Sequence, residues 1–177
     1  MLLTEKYRQE QSAMHEKYEY GTASIGYAPM IAKLMNANKV HELLDYGAGR
    51  GNLMKAISAE RLVHHEFEYR PYEPSKPEWS AEPWPSEFVA CIDVLEHVEP
   101  DCLDAVLDDL KRVTMAIGFF TVACGPAVKL LSDGRNAHLI QKPAEWWLPK
   151  LMSRFDLRLF QAVEGGFAVT VLSKDMR

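Results

Sequence analysis

Three glycines at alternate positions follow an apolar run, where a turn of the backbone could approach a ligand closely. They lie in the segment LLDYGAGRG and are Gly47, Gly49 and Gly51. The run before them is typical of a buried strand, and the apolar residues after them have helical spacing. A strand, a glycine-rich turn and a helix N-terminus direct backbone N–H groups and the helix dipole at a bound ligand. The segment therefore predicts a ligand site at the carboxyl end of a strand.

The spacing of these glycines weakens one common phosphate-binding interpretation and excludes another. A dinucleotide fingerprint that begins at Gly47 needs its third glycine at the position of Asn52. A nucleoside triphosphate loop needs Gly-Lys-Ser/Thr, which does not follow the glycines. The alternative without a ligand is a tight strand-to-helix turn, for which glycine is the default residue.

Acidic residues stand at the ends of the first three predicted strands. Glu73 in YEPS ends the second strand roughly 20 residues after the glycines, an interval at which a carboxylate can reach ribose hydroxyls. It could also be a solvated strand end. Asp45, just before the glycines, either contacts the ligand or caps the following helix. The third strand runs into CIDVLEHVEP, Cys91 to Pro100.

Together these segments resemble the class I S-adenosylmethionine-dependent methyltransferases. D-Y-G-A-G-R-G is similar to motif I of that family, in which the turn passes beneath the amino-acid part of the cofactor. D-V-L-E-H resembles the segment at the end of the family's fourth strand, and the resemblance covers roughly residues 20 to 175. VLDDLKRVT and LLSDGRNAHLIQKPAEWW are similar to a group of small methyltransferases often found in phage genomes.

The resemblance implies an enzyme that binds S-adenosylmethionine and releases S-adenosylhomocysteine after methyl transfer. Because the sulfonium already activates the methyl group, the protein mainly has to align a nucleophile and exclude water. The resemblance does not identify the acceptor, which we expect from the loop described below to be a small metabolite or a nucleotide. The residues that the resemblance assigns to cofactor binding are Asp45, Tyr46, Gly47, Ala48, Gly49, Gly51, Glu73, Pro74, Asp93, Val94 and Leu95.

The chain departs from the family after the ribose-binding acid. The usual helix and strand there are replaced by the proline-rich stretch SKPEWSAEPWPSE. Glu78, Glu82 or Trp84 could line the adenine end of the site, or none of them.

The loop SDGRNAH, Ser132 to His138, is the predicted acceptor site. It is rich in hydrogen-bonding groups and follows a strand end, where open α/β sheets bind ligands, although Ser-Asp-Gly is also ordinary turn chemistry. Arg135 and Asn136 are the predicted polar anchors, and the arginine fork favours a small anionic acceptor. His138 is predicted to contact the acceptor and take its proton, with a structural hydrogen bond to the loop backbone as the alternative.

Glu96 and His97 have a catalytic and a structural interpretation, and their place just before a helix favours the structural one. A zinc site from His97, Cys91 and His64 is excluded because no metal-ligand spacing is present. The sequence thus predicts no metal.

The predicted fold is α/β, a Rossmann-like doubly wound and mostly parallel sheet with a C-terminal antiparallel hairpin strand and a shortened third-strand region. A single methyltransferase domain covers residues 1–177, with an N-terminal helical cap over 1–36 and an α/β core over 37–177. The cap is predicted from an apolar helical stripe, Leu3, Tyr7, Met14 and Tyr18. Pro149 is expected to kink or restart the helix that Pro143 opens.

Composition bears on partners and location. A net charge of -5 disfavours nucleic acid as a bulk electrostatic partner. Three widely spaced cysteines and the lack of a long apolar segment indicate a cytoplasmic protein without a membrane anchor, in the host cell if it is phage-encoded.

Two other functions stay open, a nucleic-acid methyltransferase in phage DNA modification and an S-adenosylmethionine-binding protein without transfer activity. Against the first, Asp93-Val94-Leu95-Glu96 stands where amino-group DNA enzymes usually carry an Asp/Asn/Ser-Pro-Pro-aromatic motif. The Pro-Cys nucleophile of cytosine-C5 enzymes is also missing from the sequence.

Overall fold

The computed structural model describes residues 1–17 and 22–176, with the backbone alone for residues 15–17 and 176. The helices are α1 (Glu5–Lys17), α2 (Ala23–Asn38), α3 (Asn52–Ala59), α4 (Leu103–Val113) and α5 (Ala144–Arg154). The strands are β1 (Glu42–Tyr46), β2 (Glu68–Tyr72), β3 (Ser86–Ile92), β4 (Thr114–Ala123), β5 (Phe155–Val163) and β6 (Gly166–Ser173). None of the helices in these described ranges has both the length and the apolar character needed to cross a bilayer.

The six strands form one sheet in the order β2-β1-β3-β4-β6-β5. The first four strands in this order, β2, β1, β3 and β4, pair in parallel, whereas β6 is antiparallel to both β4 and β5. Between Tyr72 and Ser86 the chain forms only a short 3-10 turn, so β2 is the edge of the sheet. The predicted fold class is confirmed, including the terminal hairpin and the shortened third-strand region.

Helices cover both faces of the sheet, as buried parallel strands require. Alternate residues of β3 point to opposite faces. Phe88 and Ala90 pack with apolar side chains of α2 and α3. Val89 and Cys91 pack with those of α4 and α5 on the other face. All four residues are fully buried, which explains why β3 reads as a continuous apolar run.

Helix α1 lies against the segments that follow β3 and β4. Tyr7 and Met14 from the predicted apolar stripe are buried with Leu131 and Ala137 of the loop after β4. The Tyr7 hydroxyl donates a hydrogen bond of 2.6 Å to the carbonyl oxygen of His97. The last residue of the stripe, Tyr18, lies outside the described residues.

The prediction that Pro149 restarts its helix is wrong, because α5 is one helix from Ala144 to Arg154 with Pro149 inside it. The alternative of a kink at Pro149 stays a prediction. The N–H that proline lacks would have bonded to the carbonyl of Glu145 in the first turn, so only one bond near the helix start is lost. Trp147 and Leu151 are fully buried and hold both halves of α5 against the core.

The hairpin between β5 and β6 turns at two glycines with different constraints. Gly165 has a φ of 74°, and a Cβ on it would meet open space. Gly166 pairs with Ala123 of β4, and a Cβ on it would collide with the carbonyl oxygen of Val122.

We expect Gly166→Ala to lower the free energy of unfolding by about 2–3 kcal/mol, because the added methyl group must push β6 away from β4. Gly165→Ala is the matched control and should cost about 1–2 kcal/mol, the left-handed strain alone. Urea denaturation of both variants measures the difference. Equal losses would show that the approach of β6 to β4 is not tight.

Candidate functional site

The turn after β1 needs glycine at alternate positions because each of them has a positive φ. The φ angles are 80° at Gly47, 52° at Gly49 and 67° at Gly51. Residues with a Cβ rarely adopt this region. At Gly47 a Cβ would also collide with the side chain of Val94, which follows β3. The spacing thus serves a repeated left-handed turn that lies directly against the end of β3.

Backbone groups of the turn bond to the end of the neighbouring strand. The N–H groups of Gly47 and Ala48 both donate to the carbonyl oxygen of Tyr72, at 2.8 and 2.9 Å. The Gly49 N–H donates to Oε2 of Glu73 at 3.0 Å. The other carboxylate oxygen of Glu73 accepts bonds from the backbone N–H and the hydroxyl of Ser75. Glu73 is therefore held at the glycine turn rather than projecting into solvent as a free strand end.

A cavity of about 110 Å³ lies between the glycine turn, the ends of β2 and β3, and the N-terminal segment. Most of the residues predicted to bind the cofactor line it, namely Tyr46, Gly47, Gly49, Glu73, Pro74, Asp93 and Val94.

The other residues predicted to bind the cofactor lie away from the cavity lining. Ala48 and Gly51 are buried within the turn, and Gly51 is the residue before α3. Leu95 is fully buried in the core beside α4. Asp45 is buried below the turn and accepts a hydrogen bond of 2.7 Å from the Tyr69 hydroxyl.

Asp45 is a buried acid rather than a helix cap. The N-cap position of α3 is occupied by Gly51, so Asp45 does not cap this helix. Burial, together with the nearby Glu73 carboxylate, raises the pKa of Asp45 to about 7, although the Tyr69 hydroxyl bond opposes this rise. Folding therefore favours the protonated form of this acid.

The end of β3 is joined to β4 through Asp93. Asp93 has a φ of 50°, and its N–H donates to the Thr121 hydroxyl oxygen at 2.9 Å. The same hydroxyl donates to the Asp93 carboxylate at 2.5 Å. Aspartate tolerates the left-handed region better than most residues. This pair turns the chain at the cavity and directs Glu96 into the protein.

Glu96 is a fully buried acid with one satisfied oxygen. Its Oε1 accepts a bond of 2.9 Å from the Ala123 N–H at the end of β4. Its Oε2 has no hydrogen-bond partner within the described part of the chain. Burial, reinforced by the charge of Asp93, raises the pKa of Glu96 to about 8. An unsatisfied buried polar atom calls for a physical explanation.

Two histidines lie beside this acid. The His97 and His138 rings meet edge to face with centroids 4.8 Å apart. Ligand atoms of Glu96, His97 and His138 all lie within 4.8 Å of one another. His97 also lines the cavity. Sequence reasoning kept Glu96 and His97 apart from His138, although both segments follow parallel neighbouring strands whose carboxyl ends meet.

The predicted acceptor loop is tied together by its own side chains. Asn136 accepts from the Ala127 N–H at 2.9 Å and donates to the Ala127 carbonyl at 2.8 Å. Arg135 is exposed and forms an ion pair of 2.8 Å with Asp133. Neither Asn136 nor Arg135 lines the cavity, and His138 approaches it through its ring contact with His97. The acceptor roles of these residues stay predictions.

The proline-rich segment leaves the three proposed adenine-end residues in solvent. Glu78, Glu82 and Trp84 are exposed, Trp84 by 78%, and none of them lines the cavity. The N-terminal segment lines it instead, through Leu2, Leu3, Tyr7 and Gln11, which sequence reasoning did not assign to the site. The apolar stripe was the only sequence signal for this covering role.

No protein-family model and no curated protein sequence matches the chain. Solved structures with the same fold include the Burkholderia thailandensis 1,6-didemethyltoxoflavin-N1-methyltransferase with bound 1,6-didemethyltoxoflavin and S-adenosylhomocysteine. Its TM-score is 0.60 at 14% identity, over 86% of this chain and 79% of that one.

Two further structures give the same result. The mitomycin 7-O-methyltransferase has a TM-score of 0.62 at 13% identity, and the match covers 86% of this chain but only 55% of that one. An Aquifex aeolicus S-adenosylmethionine-dependent methyltransferase scores 0.54 at 13% identity, over 88% of this chain and 100% of that one. These TM-scores show a shared Rossmann-like fold, and the comparisons do not support the closer likeness to small phage-type methyltransferases.

We expect Asp45→Asn to change how stability depends on pH. The wild-type acid binds its proton more tightly when folded, so the free energy of unfolding should fall as pH rises from about 4 to about 7. The variant lacks this group, and its advantage over wild type should grow across that window to at most ~4 kcal/mol.

Urea unfolding at several pH values checks this expectation, with Asp101→Asn on the exposed start of the helical segment before α4 as the control. A constant difference between Asp45→Asn and wild type from pH 4 to 7 would contradict the raised pKa.

Proposed function

We propose that the protein transfers a methyl group from S-adenosylmethionine to a small-molecule acceptor. The observation that carries this proposal is the cavity at the carboxyl ends of the parallel strands. Seven of the eleven residues that the methyltransferase resemblance assigns to the cofactor line it. Open α/β sheets bind their ligands at this edge.

The proposed cofactor pose follows from the chemistry of the lining. The left-handed glycines leave backbone surface without side chains, over which the amino-acid part of the cofactor would pass. Glu73 offers a buried carboxylate for the ribose hydroxyls, and a carboxylate accepts about four hydrogen bonds. Within the described residues, Gly49 and Ser75 donate three bonds to it, which leaves one of these positions for a hydroxyl. The S-adenosylhomocysteine bound in the Burkholderia structure supports this choice of ligand.

The N-terminal segment supplies the exclusion of water that methyl transfer needs. Leu2 and Leu3 form an apolar wall of the cavity, and Tyr7 joins them from α1. Bonds from Thr4 to Glu99 and from Tyr7 to His97 attach this wall to the segment after β3. In our proposal α1 and the residues before it act as the cap on a single α/β domain, whereas α2, also within the predicted 1–36 cap, packs on a face of the sheet.

The proposed acceptor is a small metabolite or a nucleotide. The Burkholderia and mitomycin enzymes are named for small-molecule acceptors, and the net charge of -5 disfavours a nucleic-acid backbone. We place the acceptor entrance at the loop Asp133 to His138, because this loop packs under α1 next to the cavity. Arg135 is the exposed cation of that loop and would attract an anionic acceptor.

Calorimetry tests cofactor binding directly. We expect S-adenosylhomocysteine to bind at a single site per chain, NAD to give no heat, and Gly49→Val to abolish binding because it fills the cavity. Gly165→Val is the matched control, since Gly165 has the same left-handed backbone but faces open space at the hairpin. A blank titration of the folded wild-type protein with S-adenosylhomocysteine would refute the proposal.

A methyl-transfer screen over metabolites, nucleotides, peptides and DNA then identifies the acceptor class. Product from small anionic compounds is the expected result, and Arg135→Ala should mainly raise KM for them. Product from DNA alone would replace the proposed acceptor class, and binding without any product would leave a cofactor-binding protein.

The role of Glu73 has its own test. Glu73→Gln keeps the size of the side chain but removes the charge, so affinity for S-adenosylhomocysteine should fall roughly 10- to 100-fold, the value of a charge-assisted hydrogen bond. Glu78→Gln, an exposed position in the same segment, should leave the affinity unchanged. Equal affinity in both variants would move the ribose partner to another residue.

A further inference from the structure

We propose that Glu96, His97 and His138 bind a divalent transition-metal cation at the edge of the cavity. Their ligand atoms converge within 4.8 Å of one another from two segments that follow neighbouring strands, β3 and β4. The site needs neither the cofactor nor methyl transfer, so it stands or falls independently of the proposed function.

The first support is the unsatisfied oxygen of Glu96. A fully buried acid whose Oε2 has no partner in the described chain is costly, whereas a bound cation would satisfy it. The bond from the Ala123 N–H anchors Oε1, and the other oxygen can still adjust its position by rotation of the carboxylate. A purely structural acid would be expected to use both oxygens.

The second support is the orientation of the two histidines. His97 Nδ1 lies 2.8 Å from the Ala137 carbonyl oxygen, and His138 Nδ1 lies 2.7 Å from the Gly125 carbonyl oxygen. A carbonyl can only accept, so both Nδ1 atoms carry a proton, and Nε2 is the ring atom through which each histidine would bind a metal. Metal-binding histidines are typically oriented by a bond of this kind.

The distances allow a cation after a small adjustment. Ligand atoms of a tetrahedral Zn²⁺ site lie about 3.4 Å apart when each is about 2.1 Å from the metal. Closing the cluster from its present 4.8 Å limit therefore needs at most about 1.4 Å, within reach of side-chain rotation. Imidazole and carboxylate ligands suit Zn²⁺, Fe²⁺ or Co²⁺.

Three protein ligands leave at least one coordination position open. His97 lines the cavity, so this position would lie next to it. With Nδ1 bonded to Gly125 and Nε2 bound to a cation, His138 would hold the metal and would not accept a proton from an acceptor. This assignment replaces the general-base interpretation of His138.

Co²⁺ and Zn²⁺ test the site without any substrate. Protein freed of metal by a chelator should bind a single ion per chain by calorimetry, and Co²⁺ should give visible absorption typical of imidazole coordination. Glu96→Gln and His138→Ala should each weaken binding at least ~10-fold. The matched control is His64→Ala, because His64 is exposed and lies outside the cluster.

Circular dichroism and thermal unfolding check that the metal-free variants are folded. If His138→Ala is unfolded, the Glu96→Gln variant alone is sufficient for the test. The site is refuted if the wild-type protein binds neither ion, or if the folded variants bind as tightly as the His64→Ala control. A parallel titration with S-adenosylhomocysteine separates the two proposals. If the wild-type protein binds neither ion but still binds S-adenosylhomocysteine, this inference alone is removed.

Discussion

The joint between the glycine turn and the end of β2 is the constraint on which the site depends. One carbonyl oxygen, that of Tyr72, accepts bonds from both Gly47 and Ala48, and the Glu73 carboxylate accepts one from Gly49. These bonds fix the height of the turn relative to its neighbouring strand. Because the turn has no side chains at its left-handed positions, the cavity remains open directly above the joint.

A second joint connects the ends of β3 and β4 and supports the other wall. Asp93 and Thr121 exchange hydrogen bonds, and Glu96 accepts from the backbone of Ala123. The segment after β3 is then held under α1 by Tyr7. The cavity is thus enclosed by bonds that run between strand ends, while the cores on the two faces of the sheet hold the strands themselves.

Local patterns were sufficient wherever one short segment dictates its own conformation. Alternate glycines after an apolar run predicted the left-handed turn, and paired alternating segments around Gly165 predicted the hairpin. The proline-rich stretch predicted the missing strand, which the sheet order confirms. The restart of the helix at Pro149 was wrong because the cost of a proline depends on its position in the helix and on packing such as the burial of Trp147. Neither can be predicted from the proline itself.

The sequence by itself determined the class of the sheet, its terminal hairpin, the glycine turn and the acidic strand ends, because periodicity and glycine chemistry act over a few residues. Only the tertiary structure decided which side chains meet at those ends. Glu96 and His138 are far apart in the chain, and they meet because β3 and β4 are parallel neighbours whose carboxyl ends lie at one edge. The covering of the cavity by Leu2 and Leu3 likewise depends on where α1 packs, since an apolar stripe states that a face is buried without stating what it buries.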